Sequence, residues 1–305
     1  GTDRLQSSGP LTIKPYTAAT TIGIAGGTGT LRLPASYFST NFTNGFSGIV
    51  VGSANAGDIN IGSTALTYND PLTLKTAGNI TTNSGAAITG GAGQTAHLTL
   101  WADADVNNNG YIFIYDGNTI NTNGGDITMA GGLDDGANGG TASDGIPDGY
   151  AVSTVATASG VSIGRNANAA TAATTITSSG GNIVMRGKST GGNPSMGIHY
   201  AYGGTLDAGS GTLTMLGEAT SYAGIELSAW LDGAGTSYLD INAGTVEIRG
   251  ISSNTNYHGL ASSQLNNEYT RITAGAGGIT LYGHNTANAN KGVEISQNLS
   301  NEHFP

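Results

Sequence analysis

The stretch LDAGSGTLTMLGEATSYAGIEL, residues 206–227, contains one complete unit of a pattern that recurs along the chain. At its centre is an apolar–x–apolar triplet, residues 213–215, with a glycine two residues away on either side. Because successive side chains of a strand point to opposite faces, this triplet predicts a short β-strand with one buried face. Equivalent triplets occupy residues 72–74, 98–100, 127–129, 183–185, 213–215, 246–248 and 279–281.

A second set of apolar residues lies seven positions before five of these triplets. Its members are Ile120, Ile176, Leu206, Leu239 and Ile272. The constant distance predicts two strands joined by a constant corner. The corner sequences consist mainly of Gly, Ser, Ala, Thr and Asn, several of which accept tight or left-handed backbone angles at low cost.

A third set consists of a glycine followed by apolar residues, and its distance from the second set varies. The glycines are Gly110, Gly160, Gly197, Gly224, Gly259 and Gly292. The variable distance indicates a connection that tolerates insertions.

Three strands in each unit of about 26–33 residues are typical of one turn of a parallel β-helix, and no sustained helical period is present. We therefore predict an all-β fold: a single-stranded, right-handed parallel β-helix, or β-solenoid, with three short strands per turn. The right hand follows the general preference of parallel crossovers. About ten turns at ~4.8 Å each would rise ~50 Å.

The pattern divides the chain into four regions. Residues 1–56 form a β-rich N-terminal segment, predicted as the first solenoid turns, and its aromatic stretch 34–46 is predicted to cover the interior. Residues 57–131 are β-helix turns, residues 132–152 an acidic glycine-rich loop insertion, and residues 153–305 regular turns. An extra or irregular turn is expected through Val161 and Ile163, because two neighbouring triplets there start 56 residues apart.

Composition excludes several classes of protein. The chain has no cysteine, which rules out a disulfide scaffold, a thiolate zinc site and a cysteine nucleophile. Its net charge is −10 with only ten Lys and Arg residues, so the basic footprint of a nucleic-acid binder is missing. No apolar run approaches the ~20 residues of a membrane-spanning helix. We expect neither a nucleic-acid partner nor insertion into a membrane.

Several runs resemble a known family. They are NDPLTLKTAGNITTN (residues 69–83), GGDITMAGG (124–132), SGTLTMLG (210–217) and TIGIAGGTGTLRLPASYFSTNFTNGF (21–46). They are similar to the repeat region of filamentous haemagglutinin-like large exoproteins, the substrates of two-partner secretion. The resemblance implies an extracellular, secreted or cell-surface right-handed β-helix that serves as a fibrous adhesin or surface component. The Asn-Pro-Asn motifs of that family's secretion domain are absent.

Two acidic strings are candidate cation sites. In WADADVNNNGYI, residues 101–112, Asp103, Asp105 and Asn107 alternate as at the start of an EF-hand loop. Asn108 then replaces the required glycine, and Ile114 replaces the bidentate glutamate, so a polar turn is the favoured interpretation. The second string is in the loop insertion, where a solvated loop is favoured. It contains Asp134, Asp135, Asp144 and Asp148. A weak Ca²⁺ site is the alternative for both strings, and no cofactor is otherwise expected.

Many β-helices degrade polysaccharides, and part of the polygalacturonase pattern is present. Its elements are Asn121-Thr122-Asn123, Asp134-Asp135, His258-Gly259 and Arg271-Ile272, in the right order. However, Asn123 replaces one of the carboxylates that acid–base catalysis needs. The Asp pair and His258 are also about four turns apart, roughly 19 Å along the axis. We therefore expect no enzyme activity and assign no catalytic residue.

The leading functional prediction is an extracellular structural or adhesive β-solenoid that forms a surface fibre. The alternative is a carbohydrate-binding or polysaccharide-degrading β-helix, for which the aromatic candidates are Tyr200, Tyr202, Tyr222, Trp230, Tyr238, Tyr257 and Tyr282. No amphipathic helix that could cap the solenoid is evident in residues 1–14 or 298–305. We therefore expect exposed ends that pair with copies of the chain or with further repeats, and residues 1–16 as a donated strand. Host or cell-surface glycans are further candidate partners.

Overall fold

A computed structural model describes residues 4–91, 96–165, 172–192, 195–229, 237–263, 268–289 and 291–295. Within these ranges the chain is a parallel β-helix with three strands per turn, which confirms the predicted all-β solenoid. The helical segments described are a π-helical turn, Tyr37–Asn41, and a 3₁₀ turn, Ala137–Gly139. The right hand of the coil stays a prediction.

The strands follow one another at short intervals along the described chain. In order they are β1 (Leu11–Ile13), β2 (Ile22–Ile24), β3 (Leu31–Leu33), β4 (Ile49–Gly52), β5 (Ile59–Ile61), β6 (Leu66–Tyr68), β7 (Leu72–Lys75), β8 (Ile80–Thr82), β9 (Ala87–Gly90), β10 (Leu98–Ala102), β11 (Ile112–Tyr115), β12 (Thr119–Asn121), β13 (Ile127–Gly131), β14 (Ala151–Ser153), β15 (Val161–Arg165), β16 (Thr174–Thr177), β17 (Ile183–Ser189), β18 (Ile198–Tyr200), β19 (Gly204–Asp207), β20 (Thr212–Ala219), β21 (Ile225–Ser228), β22 (Ser237–Ser252), β23 (Leu260–Ser263), β24 (Glu268–Asn285) and β25 (Val293–Ile295).

Three faces enclose the core. Face A stacks β1, β4, β7, β10, β13, β17, β20 and the second halves of β22 and β24. Face B stacks β6, β9, β12, β16, β19 and the first halves of β22 and β24. Face C stacks β3, β2, β5, β8, β11, β15, β18, β21, β23 and β25. The ladder pairings within each face are parallel, and the predicted triplets lie in register on face A.

The position predicted in β22 for the second set of apolar residues, Leu239, is wrong by two residues. Leu206 pairs with Ile241, whereas Leu239 pairs with Gly204. The corner between Ile241 and Val246 is two residues shorter than its neighbours, and the register shifts between Ala243 and Thr245. Leu239 and Ile241 are both buried, because a shift of two residues preserves the inward direction of a strand side chain.

The turn through Val161 and Ile163 is irregular rather than extra. Ile127 in β13 pairs directly with Ile183 in β17, so the intervening 56 residues add one turn. Val161 and Ile163 belong to that turn and pair with Ile112 and Ile114 on face C. In the described residues nine strands stack on face A, and eight steps of ~4.8 Å give a rise of about 38 Å.

The inward triplet residues form the core, as predicted, except in the last turn. Leu213, Met215 and Val246 are completely buried, and Ile248 is almost so. Ile279, the equivalent residue of the last triplet, is 47% exposed. Burial of a core position on face A therefore depends on the turn that follows it.

Paired glycines fix the corner between faces A and C. A Cβ atom on Gly217 would overlap the carbonyl oxygen of Gly224, and one on Gly250 would overlap that of Gly259. Neither Gly217 nor Gly250 has a positive φ angle. The glycine after a triplet is therefore needed for close backbone approach rather than for an unusual turn.

The insertion 132–152 is an ordered loop on the outer side of face A. Arg186 Nη1 donates a hydrogen bond of 2.9 Å to the Pro147 carbonyl, and Tyr150 Oη donates one of 3.0 Å to Glu218 Oε1. At its end, β14 pairs in parallel with the C-terminal part of β17. The loop leaves the solenoid between faces A and C and returns to it without interrupting the stack.

The interior of the solenoid is filled at its N-terminal end. On face C, β3 lies beyond β2, and on face B the turn Tyr37–Asn41 contacts β6. Three phenylalanines fill the end of the interior: Phe38, Phe42 and Phe46 are 1%, 5% and 5% exposed. The predicted covering function of residues 34–46 agrees with this packing.

Residues 4–16, the described part of the segment predicted to be donated to a neighbour, pack against their own chain, and the donation stays a prediction. Leu11, Thr12 and Ile13 form β1, which pairs with β4 of the same chain. Leu5 forms a further parallel bridge with Phe42. Both contacts add to the closure of the N-terminal end.

Candidate functional site

The last described turn presents an open strand edge, formed by β24 and β25 and called here the C-terminal edge. In the described chain β24 pairs only with β22, and β25 only with β23. Their other sides therefore offer backbone N–H and C=O groups to a further strand. This edge runs along all three faces, because β24 covers faces B and A and β25 covers face C.

Core positions are exposed along this edge. Ile279, Val293 and Ile295 are 47%, 42% and 68% exposed. Val246 and Leu260, which occupy equivalent positions one turn earlier, are at most 3% exposed. Among the described residues, the C-terminal edge thus combines unpaired backbone groups with uncovered apolar side chains, the two features that favour strand addition.

Polar contacts hold the last turn to the previous one. His258 Nδ1 lies 2.6 Å from Glu294 Oε2, and Arg271 Nη2 lies 2.8 Å from Asp240 Oδ1. Both signs of charge are therefore present near the edge. Such a mixed surface does not repel a second copy of itself.

Aromatic rows also reach this edge. Tyr269 stacks on Tyr238 with ring centroids 5.5 Å apart, and the guanidinium of Arg249 lies 5.2 Å from the ring of Tyr282. Tyr269 was missed in the sequence, although it lies 31 residues after Tyr238, close to the repeat length. The periodicity of the pattern was the signal that could have identified it.

The EF-hand-like string forms a turn whose carboxylates have separate partners. Asp103 is buried, and its Oδ1 accepts a hydrogen bond of 3.2 Å from the Asn109 amide. Burial raises the pKa of Asp103 to about 6. Asp105 is exposed and accepts a 2.7 Å hydrogen bond from Asn107 Nδ2. Within the described residues no three His, Cys, Asp or Glu side chains are grouped to hold a metal ion. Ca²⁺ binding stays a prediction.

The carboxylates of the insertion organise the loop itself. Asp134 accepts hydrogen bonds from the amides of Asp144 and Gly145, at 3.2 and 2.7 Å. Asp148 is buried and accepts one of 2.7 Å from the Gly136 amide. These bonds give the loop a defined shape.

The residues of the polygalacturonase pattern lie on separate turns. Asp134 follows β13, whereas His258 precedes β23, which is three strands beyond β15 on face C. That separation is roughly 14 Å along the axis. The carboxylate that contacts His258 is Glu294, which is not part of the pattern.

The aromatic candidates for glycan binding occupy different environments. Tyr200 is completely buried, and its hydroxyl donates a 2.7 Å hydrogen bond to the Thr174 carbonyl. Tyr238 and Tyr282 are exposed, and Tyr222 stacks 3.8 Å from Tyr257. Tyr202 is half-buried, and Trp230 lies outside the described residues. Glycan binding stays a prediction, with Tyr238 and Tyr282 as its accessible residues.

No family model, no curated protein and no solved structure matches this chain. The resemblance to filamentous haemagglutinin-like exoproteins therefore rests on the repeat motifs alone. In the described ranges no helix has the length and apolar character to cross a membrane.

Proposed function

We propose that this chain is a non-enzymatic structural β-solenoid of an extracellular fibre or cell-surface adhesin, extended through its C-terminal edge. The observation that carries the proposal is the exposure of core positions Ile279, Val293 and Ile295 beside unpaired strand backbone. Covering them with further strands would bury apolar surface and satisfy backbone groups together. The extracellular location is supported by the family resemblance.

The partner at this edge is a second copy of the chain or a further run of repeats. The N-terminal end is filled by Phe38, Phe42 and Phe46, so head-to-tail stacking of two copies would require that end to open. Two copies therefore pair most simply through their C-terminal edges. When the C-terminal edges of two copies face each other, the two chains run around the common axis in opposite directions. Their edge strands therefore meet antiparallel, an arrangement that forms strong ladders.

Sedimentation velocity of the 305-residue chain over a wide concentration range tests this proposal. We expect concentration-dependent association, and electron microscopy should show rods joined at one end. The variant Ile279→Lys/Val293→Lys places charges on the edge and should remain monomeric, because edge lysines block strand pairing. The matched control Thr119→Lys/Thr214→Lys adds the same charge to outward positions of β12 and β20, strands that are paired on both sides, and should associate normally.

Two outcomes would contradict the proposal. A stable monomer of the unmodified chain at high concentration would exclude extension by copies of itself. Clear release of reducing ends or unsaturated sugars from a polysaccharide panel would exclude a purely structural function. A glycan array tests the alternative of carbohydrate binding, with Tyr238→Ala/Tyr282→Ala as the variant.

A further inference from the structure

Exposed large apolar side chains are unevenly distributed along the rod. Of the thirteen in the described residues, nine lie near its two ends. The other four are aliphatic and lie in two loops, residues 103–110 and 132–155. They are Val106, Leu133, Ile146 and Val155, which are 37–53% exposed.

The two loops are joined into one surface, called here the corner surface. The Gly132 amide donates a 3.3 Å hydrogen bond to the Asp103 carbonyl, and Thr154 Oγ1 lies 3.2 Å from Asn109 Oδ1. Gly110 and Val152 form a backbone bridge between the loops. The aliphatic side chains thus belong to adjoining loops that both leave the solenoid at the corner between faces A and C.

The corner surface is held in shape before any partner arrives. The Asp148 amide donates a 2.8 Å hydrogen bond to the Leu133 carbonyl, which places the backbone of Leu133 beside that of Asp148, two residues after Ile146. The Asp134 carboxylate and the Arg186 guanidinium fix the rest of the insertion. A preorganised surface loses little conformational freedom on binding.

The charge around these aliphatic side chains is negative. Asp105, Asp135 and Asp144 are exposed, and none of them takes part in a salt bridge among the described residues. The nearby cations offset only part of this charge, because Arg186 interacts with Asp144 and Asp148 and Lys75 interacts with Asp134. Lys75 Nζ lies 3.3 Å from the Trp101 ring centroid, and Lys188 Nζ lies 3.0 Å from Glu218 Oε2.

We infer that the corner surface binds a basic polypeptide segment that carries aliphatic side chains. Its exposed apolar residues mark an interaction site, and charge complementarity selects a cationic partner. The same aspartates repel nucleic acid and anionic lipid surfaces. This surface lies away from the C-terminal edge, so the inference does not depend on self-association.

The test measures binding of three labelled synthetic peptides by fluorescence anisotropy. One alternates Lys and Leu, one alternates Lys and Ser, and one alternates Glu and Leu. We expect the Lys/Leu peptide to bind more tightly than the Lys/Ser peptide by about tenfold, because burial of the leucines adds to the charge attraction. The Glu/Leu peptide should not bind, and added salt should weaken the Lys/Leu complex.

Two variants locate the site. Leu133→Ser/Ile146→Ser should weaken Lys/Leu peptide binding by about tenfold, because it removes apolar contact area. The matched control Leu5→Ser/Tyr16→Ser removes exposed apolar side chains from the N-terminal end, outside both proposed surfaces, and should bind as the unmodified chain does. Asp135→Asn/Asp144→Asn should weaken binding, whereas Asp240→Asn/Glu247→Gln, with the same charge change, should not.

Hydrogen exchange of the unmodified chain tests the location of the site without any substitution. The Lys/Leu peptide should slow exchange in residues 103–110 and 132–155. Protection confined to other segments would overturn the inference. Equal affinity of the Lys/Leu and Lys/Ser peptides would also overturn it, since binding would then be attraction to net charge alone. Tight binding to anionic lipid vesicles would exclude the assigned partner class.

Discussion

Phe38 near the N-terminal end of the solenoid is 1% exposed, whereas Ile295 near the C-terminal edge is 68% exposed. Both side chains lie at an end of the described stack of turns. At the N-terminal end a segment outside the repeat pattern, residues 34–46, supplies aromatic rings that fill the interior. At the C-terminal edge the last described strands follow the same pattern as those before them.

The difference teaches that a solenoid repeat cannot close its own interior. An inward residue of a triplet is covered only when another turn, or a different kind of segment, lies over it. Ile248 is 1% exposed because β24 follows it, while Ile279 in β24 is 47% exposed. Closure must come from sequence that departs from the pattern.

The test with the largest expected effect replaces equivalent core residues of two turns by aspartate. Leu213→Asp would bury a carboxylate without a partner and should lower the free energy of unfolding by about 4 kcal/mol or more. Ile279→Asp should lower it by about 1 kcal/mol or less, because that side chain is already half in water. Denaturant unfolding of both variants measures the contrast, and equal losses would contradict the assigned exposure of the last turn.

The second test removes part of the N-terminal closure. Phe38→Ala should destabilise the protein by about 3 kcal/mol, since it leaves a cavity in the end of the interior. Tyr37→Ala serves as the control, because Tyr37 is 38% exposed and lies on the same turn. Hydrogen exchange should accelerate in β1 to β4 for Phe38→Ala alone. If both variants unfold alike, Phe38 does not close the end.

The third test uses pH and a carboxyl in the middle of the rod, far from both ends. Burial raises the pKa of Asp103 to about 6, above its unfolded value, so the folded chain binds this proton more tightly. Lowering the pH from 7 to 4 should therefore stabilise the unmodified chain relative to Asp103→Asn by about 2 kcal/mol.

Denaturant unfolding of both chains at the two pH values gives this difference. Asp105→Asn is the control, because Asp105 is exposed in the same turn. A pH dependence that Asp103→Asn leaves unchanged would show that Asp103 titrates normally.

The smallest change in stability is expected from a substitution at the C-terminal edge itself. Glu294→Gln weakens the contact with His258 and should change global stability by only about 0.5 kcal/mol. Its clearer sign should be faster hydrogen exchange in β25, because that contact ties β25 to the turn before it. Glu247→Gln, an exposed glutamate on β22, is the control. Unchanged exchange in β25 would mean that strand pairing alone holds it.

Much of the fold was predictable because strand alternation is a local signal. The triplet at residues 213–215 identifies a strand of face A, and Gly224 with the apolar residue after it identifies a strand of face C. Each signal needs only a few neighbouring positions. The register of β22 was not predictable from a constant offset, since Leu239 and Ile241 both suit an inward position. The choice between them depends on pairing with Leu206, which is distant in the sequence.

The interaction surfaces were less predictable, because exposure depends on tertiary neighbours. Tyr200 was counted among aromatic residues for glycan binding, yet it lies two residues after Ile198 and faces inward with it. Strict alternation would have placed it correctly. No local pattern indicated that Val106 and Leu133 lie on adjoining loops, since a backbone contact between Asp103 and Gly132 brings those loops together.

Parallel stacking of the strands also has a mechanical consequence. The ladder hydrogen bonds connect one turn to the next, roughly along the axis of the rod. A force pulling the two ends of the rod apart along that axis would load these bonds a few at a time, as in a zipper, rather than all together in shear. Each released turn, such as the 33 residues from Leu213 to Val246, would yield about 110 Å of extended chain. Under tension the rod would lengthen in discrete steps, and the turns still stacked would keep their shape.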